Sequence, residues 1–111
     1  MIHTERQGAV EVIHVDGPLN QHVVEELEEV LQACQAGGQP MIVLDGSLLQ
    51  LIDSTGLELL VRAQQTMTQR GGMIKLAGLS PLCTEILRAT GVGQQFETYM
   101  DVKRAIGSYA R

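Results

Sequence analysis

Apolar and polar positions along the chain follow two rhythms, one of period two and one close to 3.6. Residues 2–15, IHTERQGAVEVIHV, read as a β-hairpin. A short strand covers 2–5, Gln7-Gly8 forms the turn, and a second strand covers 9–15. Gly17 and Pro18 break the pattern within DGPLN, and Asn20 is placed to cap the next element. In QHVVEELEEVLQACQAGG, Val23, Leu27, Val30, Leu31 and Cys34 share one helical face. Glu25, Glu26, Glu28 and Glu29 cover the outer face and suit the N-terminal half of a helix. Gly37-Gly38 ends it.

PMIVLD is a short continuous apolar run, the pattern of a central strand covered on both faces. The apolar run in GSLLQLIDSTG then stops at Asp53. A helix follows, with Leu57, Leu60, Val61 and Gln64 at helical spacing, and it ends at Gly71-Gly72. MIKLAG is another strand. LSPLCTEILRATG is a helix with Ser80 as its cap, Pro81 at the first helical position and Gly91 as its stop. Its expected buried stripe is Leu79, Leu82, Ile86 and Leu87. QFETYM is a last short strand, and Asp101 caps a final helix in which Val102, Ala105, Ile106 and Tyr109 share a face. The order β-β-α-β-α-β-α-β-α predicts an α/β fold. Its sheet is mixed and mostly parallel, opens with a hairpin and carries about four helices.

The 111 residues suit one domain over 1–111. With 44% hydrophobic residues the chain can bury a core without a staple, and with 3% aromatics that core must be aliphatic. A net charge of -5 argues against a general nucleic-acid surface and leaves room for a basic protein partner. No apolar run approaches the roughly 20 residues of a membrane span, and no secretory pattern follows Met1, so direct membrane insertion is not expected and a cytoplasmic location is. Cys34 and Cys83 lie far apart in helical patterns and read as packed thiols.

The sequence holds no Gly-x-Gly-x-x-Gly, no phosphate-binding Gly-x-x-x-x-Gly-Lys and no His-Glu-x-x-His. His3 and His14 fall on the hairpin and His22 in the first turn of the first helix, without metal-ligand spacing. No Gly-x-Ser-x-Gly surrounds Ser54, and a serine without a placed base is not a nucleophile. The expectation is a protein with no catalytic residues, no metal and no cofactor.

One joint stands out. Asp53, Ser54, Thr55 and Gly56 separate an apolar run from an apolar helix. Thr55-Gly56-Leu57-Glu58 matches a capping box, with Thr55 as cap and Glu58 reaching back. Ser54 and Asp53 are alternative caps, and any of them contributes about 1 kcal/mol. Gly56 does not improve a helix, where glycine costs about 1 kcal/mol against alanine. A close approach by another backbone or a bulky group explains it better. The same hydroxyls lie beside a helix N-terminus, where free N–H groups can hold a phosphate. Cap and switch both remain open at this level.

The stretch from the strand ending at Asp45, through DSTGL at 53–57 and GGMIKLAGLSP at 71–81, to ILRATGV at 86–92 resembles a STAS domain of the anti-sigma factor antagonist type. The opening hairpin and GPLN at 17–20 fit as well, so the resemblance covers essentially the whole chain. It implies a mixed sheet with helices and a role in partner switching. An unphosphorylated antagonist binds an anti-sigma factor, often a serine protein kinase, and the sigma factor is released. The kinase phosphorylates the hydroxyl residue after the motif's Asp, which breaks the complex, and a phosphatase resets it. Carried over, Ser54 is the phospho-acceptor and Thr55 the second choice. The partner-binding residues would be Asp53, Ser54, Thr55, Gly56, Leu57 and Glu58 with Gly17, Pro18, Leu19 and Asn20. Gly56 would let the partner approach. Glu58 departs from the Gly often found there and bears on which partner fits. The alternative implied by other STAS domains is a non-catalytic subunit of a transport or signalling complex without a phospho-switch.

Overall fold

A computed structural model describes residues 1–34 and 38–110. Strands β1 (Ile2–Gln7) and β2 (Val10–Val15) form the expected antiparallel hairpin. Then come β3 (Gly17–Leu19), helix α1 (Val24–Cys34), β4 (Met41–Asp45) and β5 (Leu49–Ile52). Helix α2 (Ser54–Gln69), β6 (Met73–Ala77) and α3 (Pro81–Thr90) follow. A 3-10 turn (Val92–Gln95), β7 (Thr98–Tyr99) and α4 (Val102–Tyr109) complete the order. The expected stop at Gly37 lies outside the described residues.

The main sheet has five strands in the order β1-β2-β4-β6-β7. Only β1 is antiparallel to its neighbour; β2-β4, β4-β6 and β6-β7 are parallel. The central strand β4 is buried on both faces, as its unbroken apolar run predicts. One face presents Ile13, Val15, Ile42, Leu44, Ile74 and Leu76 to α1, α2 and α3, which contribute Leu27, Leu31, Leu59, Leu60, Met67 and Leu87. The other presents Val10, Val12, Val43 and Ala77 to the apolar side of α4 around Ala105. α4 is anchored there by Tyr109, whose hydroxyl lies 2.6 Å from the Met73 carbonyl and 2.8 Å from that of Ile42.

Three expectations need correction. DGPLN is more than a break, because Gly17–Leu19 forms a strand pairing in parallel with β5 in a separate two-stranded sheet. The buried stripe of α3 runs through Cys83 and Leu87, and Leu82 is 55% exposed. The helix starts where Ser80 and Pro81 predict, and Leu79 and Ile86 pack partly buried against the same core as Cys83 and Leu87, so Leu82 is the one member of the expected stripe that faces outward. His22 lies in the turn before α1, which begins only at Val24.

The polar residue on the inner face of α2 has a backbone role. Gln64 donates to the carbonyls of Ile74 (3.1 Å) and Gln95 (2.9 Å) and accepts from the Ile74 N–H at 2.8 Å. A buried amide is tolerated when its hydrogen-bonding groups are engaged, and here it ties α2 to β6 and the 3-10 turn.

Candidate functional site

The small β3-β5 ribbon positions the joint found in the sequence. Gly17 donates to the Leu48 carbonyl at 3.0 Å, with a φ of +97° that favours glycine. At the other end of β3, the Leu19 carbonyl accepts from the Asp53 N–H at 3.0 Å. GPLN and DSTGL, far apart in sequence, are thus neighbours. Asn20 opens the turn into α1, its side-chain oxygen accepting from the His22 N–H at 3.0 Å.

Asp53 is the N-cap of α2, not Thr55. Its backbone is extended, with φ -91° and ψ -175°. Oδ1 accepts from the Gly56 N–H at 3.0 Å and from the Thr55 hydroxyl at 2.6 Å. The Thr55 hydroxyl therefore donates to the cap instead of acting as one, and the Thr55–Glu58 capping box does not form. An ionised carboxylate is the stronger acceptor, and it wins the first turn. The Thr55 hydroxyl, then the N–H groups of Gly56, Thr55 and Gln21, hold the Asp53 carboxyl below its ordinary value of 3.8, outweighing desolvation.

Gly56 is buried, and a Cβ there would lie 2.8 Å from the Leu19 carbonyl oxygen, 2.9 Å from Leu19 Cγ and 3.0 Å from Ile52 Cγ2. The close approach foreseen from the sequence is made by β3 of the same chain. The glycine is thus accounted for within the chain, whereas the role carried over from the resemblance had it admit a partner. Leu19 likewise has no exposed surface, so its side chain is core and not a contact for a partner.

Ser54 differs from its neighbours. It is the first residue of α2 and is exposed, and its hydroxyl has no hydrogen-bond partner among the described residues. Glu58, one turn on, is also exposed, and Leu57 is half-buried against the main core. Pro18 and Asn20 are half-buried. Two apolar residues not foreseen from the sequence are exposed in and before β5. Leu48, in the turn before β5, is 64% exposed, and Leu51 on β5 is 39% exposed. Both were hidden inside an apolar run that reads as core throughout. On β5 the exposed Gln50 and Leu51 lie between the buried Leu49 and Ile52, a break in strand alternation that accompanies the register shift in its pairing with β3.

Among the described residues no group of three or more His, Cys, Asp or Glu could hold a metal ion, and no helix is long and apolar enough to cross a membrane. The three histidines do not converge: His3 and His14 stack on the hairpin, and His22 lies before α1.

Residues 1–105 match the family model described as "STAS domain". The anti-sigma-B factor antagonist of Staphylococcus aureus is 30% identical over 91 residues, covering 82% of this chain and 84% of that protein. Among solved structures, a putative anti-sigma factor antagonist from Thermotoga maritima superposes with a TM-score of 0.90 at 18% identity, covering 99% of this chain and 95% of that one. The anti-sigma factor antagonist SpoIIAA in its unphosphorylated form gives 0.84 at 21% identity, with 99% and 96% covered. These structures share the fold seen here. With its family-model match spanning nearly the whole length and a relative at 30% identity, the chain belongs to the STAS domain family.

Proposed function

We propose that this STAS protein is an anti-sigma factor antagonist, a non-catalytic module that binds an anti-sigma factor acting as a serine protein kinase and is turned off by phosphorylation at Ser54. A phosphatase would return it to the binding form. The observation that carries this reading is the division of labour at the start of α2. Asp53 and Thr55 are spent on each other and on the helix end, while Ser54 presents a free hydroxyl to solvent.

The same geometry supports a way for the switch to work. Phosphorylation adds a charge of about -1.5 to -2. The first-turn N–H groups of Thr55 and Gly56 already serve Asp53, so the phosphate is not drawn back onto its own helix. It would stand outward beside an ionised Asp53 and alter the surface by charge and bulk, leaving the fold in place. The docking surface would be Ser54, Leu57 and Glu58 with Pro18 and Asn20, and the exposed Leu48 and Leu51 would add apolar area. Glu58 adds charge one turn from Ser54 and would help select the partner.

The test is the affinity for the cognate anti-sigma factor of three forms: wild type, Ser54→Ala and protein phosphorylated at Ser54. The expected result is near-equal binding by the first two and at least about tenfold weaker binding by the third, equivalent to about 1.4 kcal/mol. Equal affinity of all three would remove the switch and leave a constitutive STAS subunit.

A further inference from the structure

A second polar cluster lies on the sheet face that carries α4, away from Ser54. His14 of β2 has both ring nitrogens against carboxylates. Nδ1 is 2.7 Å from Asp45 Oδ2 on β4, and Nε2 is 2.7 Å from Glu5 Oε1 on β1. Ionised carboxylates only accept, and a neutral imidazole has one N–H to donate. Both contacts can be hydrogen bonds together only when the ring is an imidazolium. His3 of β1 stacks on the ring at 4.5 Å between centroids. The Met1 ammonium and Asp16 line the same small cavity. α4, which also packs on this face, presents the apolar Val102 and Ile106 together with Tyr109.

The two contacts are unequal. Asp45 is 14% exposed and its other oxygen accepts from the Ser47 N–H at 3.0 Å, so it is fixed. Glu5 is 48% exposed and on the edge strand of the sheet, free to turn into water. A neutral ring would keep its proton on Nδ1 for Asp45 and turn a lone pair toward Glu5. We propose that His14 is a proton-operated clasp, which as an imidazolium holds edge strand β1 to the sheet through Glu5 and on deprotonation lets Glu5 go.

β1 has few other attachments. Five of its six residues are exposed, and it is bonded to one neighbour only. Its start is tied to the segment leading into β3, since Met1 and Asp16 exchange two backbone hydrogen bonds at 2.8 Å. Loosening β1 would therefore loosen the lead into the ribbon that braces Asp53. Burial alone would lower the His14 value, but the hydrogen bonds and charges of Glu5 and Asp45 outweigh it and hold it above its ordinary 6.5. For a raised histidine the stabilisation is complete below the unfolded value of 6.5 and is lost as pH rises through the folded one.

The experiment is NMR on the intact chain from about pH 5.5 to about pH 9, without any partner. It follows the ring signals of His14 and His3 separately and measures amide exchange corrected for its intrinsic pH dependence. The expected His14 midpoint lies above 6.5, and the neutral ring is the Nδ1–H tautomer. Protection of the β1 amides bonded to β2 falls about threefold or more through that midpoint, while β4 and β6 hold. Glu5→Gln, a change at a half-exposed site that should leave the fold intact, lowers the midpoint and abolishes the fall. A midpoint at or below 6.5, an Nε2–H tautomer, flat β1 protection, or the same fall in Glu5→Gln would each overturn the clasp.

Discussion

Helices α2 and α3 each have a serine at their start, one just inside the helix and one just before it, and the two do opposite things. At α3, Ser80 is the cap: its hydroxyl oxygen accepts from the Cys83 N–H at 3.1 Å, and Pro81 fills the first helical position, where a missing N–H costs nothing. At α2 an aspartate has taken the capping position and pushed the serine one residue inward, where its hydroxyl is idle and exposed. The fold uses Ser80 and makes no demand on Ser54. A residue that the fold leaves free, beside a cap built from stronger groups, is available for chemistry that does not cost the protein its structure.

That contrast can be broken or sharpened by substitution. The largest effect is expected at Gly56, where a methyl group would press on the Leu19 backbone. Gly56→Ala should destabilise by about 1–3 kcal/mol, read from urea unfolding. An unchanged midpoint would mean that β3 does not lie where it is described. Asp53→Ala should lower the melting temperature by more than Ser80→Ala, since Asp53 serves the Gly56 N–H, the Thr55 hydroxyl and the Gln21 turn. Ser80→Ala removes one cap bond and should cost about 1 kcal/mol. Ser54→Ala should change stability by no more than about 0.5 kcal/mol. If Ser54→Ala proved as costly as Ser80→Ala, the idle hydroxyl would be a misreading.

Acid adds a further handle on the α2 cap. The Asp53 carboxyl titrates below 3.8 in the folded protein, so its stabilisation is present above the unfolded value of 3.8 and is lost as pH falls through the folded one. Asp45 behaves in the same sense: burial would raise it, but the Ser47 backbone and hydroxyl and the His14 ring hold it down. Asp53→Asn should therefore flatten the acid limb of the stability curve, and Ser80→Ala should shift the whole curve without changing that limb.

Much of this could be seen from the residues alone. The hairpin, the central strand at MIVLD, the caps at Ser80 and Asp101 and the α/β order follow from period, punctuation and capping chemistry. So did the reading that something crowds Gly56. The β3-β5 ribbon did not follow, because a three-residue strand containing Gly17 and Pro18 carries a turn signature, and its partner LQLI is absorbed in a longer apolar run. The cap of α2 was misplaced: the capping-box pattern pointed to Thr55, with Ser54 and Asp53 as alternatives, but all three are good caps and only the path of the incoming chain chooses among them. The His14 clasp was out of reach, because its three members sit on three strands whose register the sequence does not state.

The most direct test of the central claim is intact mass and site mapping of the protein taken from its own cells, with and without phosphatase treatment. The account predicts a phosphatase-sensitive mass increase localised to Ser54. Phosphate on Thr55 alone would keep a switch but move it to a hydroxyl that the α2 cap already uses. No phosphate at the joint under any growth condition would contradict the account and return Asp53–Gly56 to a cap and nothing more.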